Sequence, residues 1–164
     1  MATQKRVAFL IMNKKLMVAE IQLKYLPTDI NRRDLGKINH PPDAYEFIYS
    51  LYNLDTIGLF ETFVVVFLNK GARIIGYNIH SNGSIDGTLV DVRLLVATAL
   101  QCGCTSVIVS HNHPSGNLAA SNKDKVLTKQ LVKAFELFNI QLMDHLIVVP
   151  TKQKYFSFVD NGLL

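Results

Sequence analysis

The order of polar and apolar residues predicts an α/β domain built on a mixed sheet. Three observations carry that reading. Strand-like apolar runs alternate with helical patterns, which implies crossovers and partly parallel strands. Two of the runs are joined by a short Asn69-Lys70-Gly71-Ala72 turn, so one pair is a hairpin. Thr105–Ser110 (TSVIVS) holds a continuous apolar stretch, the pattern of a parallel strand covered on both faces.

In chain order, Met17–Tyr25 (MVAEIQLKY) alternates apolar and polar residues and predicts a half-buried strand. Pro27–Asp43 is polar and rich in breakers, a loop and the best linker candidate. Asp43 is the expected N-cap of a short helix, with Ala44, Phe47, Ile48, Leu51 and Tyr52 at helical spacing. Glu61–Asn69 and Arg73–His80 are the hairpin strands. Asp91–Gln101 is apolar almost all round, as expected of a helix packed on a sheet. Ser121–Phe138 is a long amphipathic helix with Leu127, Leu131, Ala134, Phe135 and Phe138 inward. Gln141–Val149 is a further strand, and Tyr155–Phe158 a last edge strand. The predicted organisation is a basic segment 1–37, with the first strand and loop, followed by a domain over 38–164, the first strand packing with it.

The 164 residues are 49% hydrophobic and 18% charged. That supports a buried core and argues against a disordered chain or a coiled coil. No apolar run approaches the roughly 20 residues of a membrane helix. The net charge of +4 is uneven: residues 1–37 carry eight basic and three acidic side chains. Such a front end is either a solvated leader or a surface for nucleic acid or acidic partners. Cys102 and Cys104 are separated by one glycine, too close for an unstrained bridge, which favours a reducing compartment. The six-residue apolar stretch Val7–Met12 is short for a signal peptide and lacks a following small-residue cleavage site. The expected location is cytoplasmic.

The chemistry concentrates in Ser110–Asp124 (SHNHPSGNLAASNKD). An apolar strand runs straight into His111-Asn112-His113, and residues two apart in an extended chain face the same side. Both imidazoles can therefore address one point at the C-terminal edge of the sheet, where α/β folds place ligands. Pro114-Ser115-Gly116-Asn117 turns the chain and can bring Asp124 back beside them. Two His and a carboxylate are a catalytic-type zinc set that leaves a fourth position open. Each part also has a plainer use. The histidines can be polar loop residues, and Ser121 with Asp124 forms a capping box before an apolar helix. A capping serine can still offer its hydroxyl to a substrate. A zinc hydrolase also needs a proton shuttle. Glu61, at the start of an apolar strand, is a candidate, or else a solvated strand-start acid. Asp144-His145 inside an apolar strand is a pair that orients a ligand, or a satisfied buried histidine.

These residues resemble the JAMM metalloprotease motif of JAB/MPN domains: an upstream glutamate, His-x-His-Pro, six residues, then Ser-x-x-Asp. Here it reads Glu61, His111-Asn-His113-Pro114, six residues, Ser121-Asn-Lys-Asp124. "FLN" before the hairpin, "SHNHPSGN" and "MDHLIVV" are similar to the RadC family, named historically as DNA-repair proteins. The resemblance covers about residues 40–164. It implies a three-layer α/β/α, cytidine-deaminase-like fold, Zn2+ held by His111, His113 and Asp124, Glu61 as acid/base residue, and Ser121 steadying the oxyanion. It further implies hydrolysis of a peptide or isopeptide amide bond. Longer RadC-like proteins carry a helix-hairpin-helix DNA-binding region ahead of this domain, and residues 1–55 show no such pair of glycine-centred hairpins. The alternative function is a non-catalytic accessory module with DNA or protein partners. Zinc deaminases use His-x-Glu with Pro-Cys-x-x-Cys, which Cys102-Gly-Cys104 does not match. In HNH nucleases the three residues are scattered over a ββα unit, so the contiguous tripeptide is no sign of one.

Overall fold

The computed structural model describes residues 37–82 and 90–164. The predicted strand Met17–Tyr25 and all of the basic segment except Lys37 lie outside them. The elements are α1 (Pro41–Tyr49), β1 (Thr62–Leu68), β2 (Ile74–Asn82), α2 (Val92–Cys102), β3 (Ser106–Asn112), α3 (Asn122–Glu136), β4 (Gln141–Val148) and β5 (Tyr155–Ser157). The five strands form one sheet in the order β2-β1-β3-β4-β5. β3 and β4 pair in parallel, joined by the α3 crossover; the other three pairings are antiparallel. The mixed sheet and the hairpin are as the sequence predicts, and β5 is an edge strand.

Side-chain alternation in β1 divides the core. Val64, Val66 and Leu68 face a cluster built with Ala44, Tyr45 and Ile48 of α1. Phe63, Val65 and Phe67 face a second cluster with Leu95 and Ala99 of α2 and Leu131 and Phe135 of α3. Two buried faces explain why the strand reads as an unbroken apolar run. Each fully buried Leu, Val or Phe stabilises the fold by about 1.5–3 kcal/mol. The sheet therefore lies between α1 on one side and α2 with α3 on the other, an α/β/α arrangement.

β4 contains an irregularity that matters for the site. Its register against β3 steps from Val107↔Leu142 to Ile108↔Asp144. One extra residue is thus accommodated, a β-bulge. Leu142 and Leu146 would share a face in a regular strand, yet they lie in opposite core clusters. Beyond the bulge, His145 is turned toward α3.

Several local expectations are corrected. The cap of α1 is His40, not Asp43. The helix starts at Pro41, because proline is tolerated at a first helical position where no N–H is needed. Asp43 is the third helical residue and its carboxylate accepts from the backbone N–H groups of Asn39 and His40 at 2.9 and 3.2 Å. Pro41-Pro42 had the signature of a breaker only because both residues fit the loop and the first turn. Leu51 and Tyr52 follow the helix rather than extend it, though Tyr52 still reaches the core. α2 buries a narrow stripe, Leu95 and Ala99, and leaves Leu94 58% exposed. In α3, Thr128 joins Leu131 and Phe135 on the buried face. Leu127 and Ala134 are half-buried and Phe138, past the helix end, is 46% exposed.

Candidate metal centre

β3 ends at the C-terminal edge of the sheet with His111 on the α2/α3 side and Asn112 on the other. The backbone N–H of His113 donates to Val148 O at 2.9 Å, prolonging the β3–β4 ladder by one residue. Gly116 then adopts φ +79°, a left-handed conformation natural to glycine, and its N–H donates to His113 O at 3.0 Å. This turn carries Asn117 O to 2.6 Å from His113 Nδ1. A carbonyl can only accept, so Nδ1 bears the proton and a neutral His113 presents the Nε2 lone pair.

That lone pair meets two other donors. His111 Nε2 lies 2.9 Å from His113 Nε2. Asp124 Oδ1 lies 3.3 Å from His111 Nε2, and Oδ2 lies 3.6 Å from His113 Nε2. Ligand atoms of the three residues all fall within 4.8 Å of one another, the one such grouping among the described residues. Two nitrogens and a carboxylate oxygen converging, with His113 and Asp124 partly exposed, fit the donor set of a zinc ion in a catalytic-type site.

In α3 the capping box and the approach to the two histidines are compatible. Ser121 Oγ accepts from the Asp124 N–H at 3.2 Å, and Asp124 Oδ2 accepts from the Ser121 N–H at 2.7 Å. The capping box fixes the carboxylate on the histidine side of the first turn. Burial alone would raise the Asp124 pKa, but the His111 and His113 rings, which donate from Nε2 once protonated, outweigh it and hold the group far below the usual carboxylate range. The same Asp124 contact raises His113 against the opposing effect of burial, and the negative charge of Glu61 adds to the rise. Glu61 is half-buried just before β1, two residues ahead of Phe63, which pairs with His111 across the antiparallel β1–β3 ladder.

Asn112 is a residue whose part the sequence pattern did not disclose. The alternation that turns both histidines one way turns its fully buried side chain the other. There its amide donates to Ile57 O and Phe60 O at 2.7 and 2.8 Å, and its Oδ1 accepts from the Thr62 N–H at 2.7 Å. These bonds bracket Glu61 on both sides. Of the Asp144-His145 pair, only His145 approaches a candidate ligand: its Nε2 is 2.8 Å from His111 Nδ1. Asp144 instead accepts from the Ser157 hydroxyl at 2.7 Å and from the N–H groups of His145 and Val159. Cys102 and Cys104 stand apart at the end of α2, both thiols donating to Ala99 O.

Comparison with known proteins agrees with this geometry. A family model described as a RadC-like JAB domain matches residues 38–163. A UPF0758 protein of Flavobacterium johnsoniae is 46% identical over 103 residues, covering 63% of this chain and 44% of that protein. The UPF0758 protein YfjY of Escherichia coli is 39% identical over 104 residues, covering 63% and 64%. A UPF0758 protein of Coxiella burnetii is 33% identical over 146 residues, covering 89% and 62%. In these matches the aligned segment spans about half to two thirds of the relative's own length.

Proposed function

Because the chain belongs to the RadC-like JAB domain family, we propose that it is a zinc-dependent metallohydrolase acting on a peptide or isopeptide amide bond. The observation that carries this reading is the convergence of His111, His113 and Asp124 at the end of β3, with Glu61 two residues before Phe63, the β1 partner of His111. Zinc held by these three residues would lower the pKa of bound water toward about 7 and polarise a carbonyl. Glu61 then serves as the acid/base residue: its carboxylate takes a proton on attack and returns it to the leaving amine. Ser121 is exposed, and with its Oγ accepting from the Asp124 N–H its hydroxyl hydrogen can turn outward to a developing oxyanion. The two cysteines, neither in a disulfide, suit the cytoplasm. Among the described residues no helix is long and apolar enough to cross a membrane.

The reading is tested by metal content of the purified chain, wild type beside Asp124→Ala, by elemental mass spectrometry after zinc reconstitution. About one zinc per chain in the wild type, lost in the variant, is expected. A wild type without zinc would reduce Ser121 and Asp124 to a helix cap.

The eight basic residues of segment 1–37 favour a second reading, an accessory module that binds DNA or DNA-repair proteins. It predicts DNA affinity that falls steeply with salt and disappears when residues 1–37 are removed. Salt-insensitive binding would count against it.

A further inference from the structure

The buried polar groups behind the candidate ligands form a chain with a single direction. Thr128 Oγ1 lies 2.6 Å from Asp124 O. A carbonyl oxygen cannot donate, so the Thr128 hydroxyl hydrogen points there. Thr128 Oγ1 is also 2.7 Å from His145 Nδ1. With its own hydrogen committed, the hydroxyl must accept, and His145 Nδ1 carries the proton. His145 is completely buried and its two ring nitrogens meet only the Thr128 hydroxyl and the His111 ring, with no carboxylate to balance a charge, so the ring is neutral and its Nε2 is an acceptor. His145 Nε2 faces His111 Nδ1 at 2.8 Å. That nitrogen is therefore the donor, and His111 is left with Nε2 toward His113 and Asp124.

We propose that His145 and Thr128 are positioning residues whose one-way hydrogen-bond relay selects the nitrogen that His111 offers to a metal and ties His111 to the α3 turn bearing Asp124. The relay begins on one candidate ligand and ends on the backbone of another, passing through β4 and α3. An ordinary core histidine needs any two partners; here both partners belong to the site. Phe158 stacks on the His145 ring at 4.6 Å between centroids, 14° from parallel, and fixes the ring plane. The β4 bulge supplies the facing, because in a regular strand of the same sequence His145, three residues after Leu142, would lie on the α1 side. Partners of this kind are generally worth about 10–100-fold in metal affinity. The inference rests on the metal reading above, and its test separates the two.

The first measurement is nitrogen NMR of histidine-labelled, metal-free full-length chain. The expected pattern is a protonated Nδ1 and bare Nε2 on His145, with Nδ1 of His111 protonated. A protonated His145 Nε2 would overturn the relay whether or not zinc binds. The second is zinc affinity by competition with a chromophoric chelator. Thr128→Val, similar in shape but unable to relay, should weaken zinc about 10–100-fold, and Thr128→Ser should restore it to within about threefold of wild type. Thermal melts of the metal-free variants identify folding losses. Equal zinc affinity for folded Thr128→Val and wild type would overturn the proposal. A wild type that binds no zinc would defeat the hydrolase reading, and the His145 proton pattern alone would then decide the relay.

Discussion

Asp124, His113 and His145 are pulled in different directions by the same small volume. The histidine contacts favour the charged form of Asp124, Asp124 favours charged His113, and burial forbids charge on His145. The signs predict a pH profile for the metal-free chain. His145 has a depressed folded pKa, so below about pH 6.5 the unfolded chain takes up a proton that the folded chain refuses, and stability falls by up to about 1.4 kcal/mol per pH unit. His113 has a raised folded pKa, so its contribution is fully present below about pH 6.5 and is lost as pH rises through the folded value. These two groups together give greatest stability near pH 6.5. Urea melts at pH 5, 6.5 and 8 in the presence of a chelator would show it; a profile rising steadily from 5 to 8 would contradict the assignment. The three-residue donor set was legible in the sequence because extended-chain alternation pairs His111 with His113 and the Ser-x-x-Asp spacing marks a helix start. Thr128 was not, since a threonine within an amphipathic helix carries no pattern of its own. Its signal is position: four residues after Asp124, one helical turn on, it shares that residue's face.

At the scale of elements, the junction between β3 and β1 depends on Asn112. Its amide ends three hydrogen bonds to the chain on either side of Glu61, all between 2.7 and 2.8 Å. Asn112→Ala would remove all three bonds and take away the donor to the Ile57 and Phe60 carbonyls. The expected loss is about 2–4 kcal/mol, read from the urea midpoint with zinc removed. A loss below about 0.5 kcal/mol would mean that water or a shifted loop satisfies those groups. The elements themselves were legible to within a few residues, because two-faced burial of β1 and β3 and the amphipathic stripe of α3 leave strong patterns. Boundaries failed where chemistry was ambiguous. Pro41-Pro42 fits both a loop and a first helical turn, and Asp43 fits both a cap and a third helical position. The β4 bulge left no signal, since MDHLIVV offers apolar side chains to either face.

For the molecule as a whole, the candidate ligands join three of its parts. His111 ends β3, His113 begins the following turn, and Asp124 opens α3, while α2 and α3 share a core cluster with β1 and β3. Unfolding would separate all three ligands, so zinc should stabilise the entire domain. At a free zinc concentration about 100 times Kd the gain is about 2.7 kcal/mol, seen as a higher urea midpoint in wild type and not in Asp124→Ala. An equal shift in both would place the zinc elsewhere. The three-layer architecture was legible from strand and helix order together with the family resemblance; which helix covers which face required the coordinates. The single additional residue in β4 has one more consequence. It acts as a phase shift in the reading frame of side-chain facing: everything upstream keeps one parity and everything downstream the other. Deleting Met143 would remove one partly buried thioether and restore a regular ladder, with Leu142 and His145 two apart and still on the same face, because Met143 is the residue the pairing already skips. Keeping every residue but pairing them in a regular ladder would instead turn each later side chain to the other face, so it is the skipped position that carries His145 to α3.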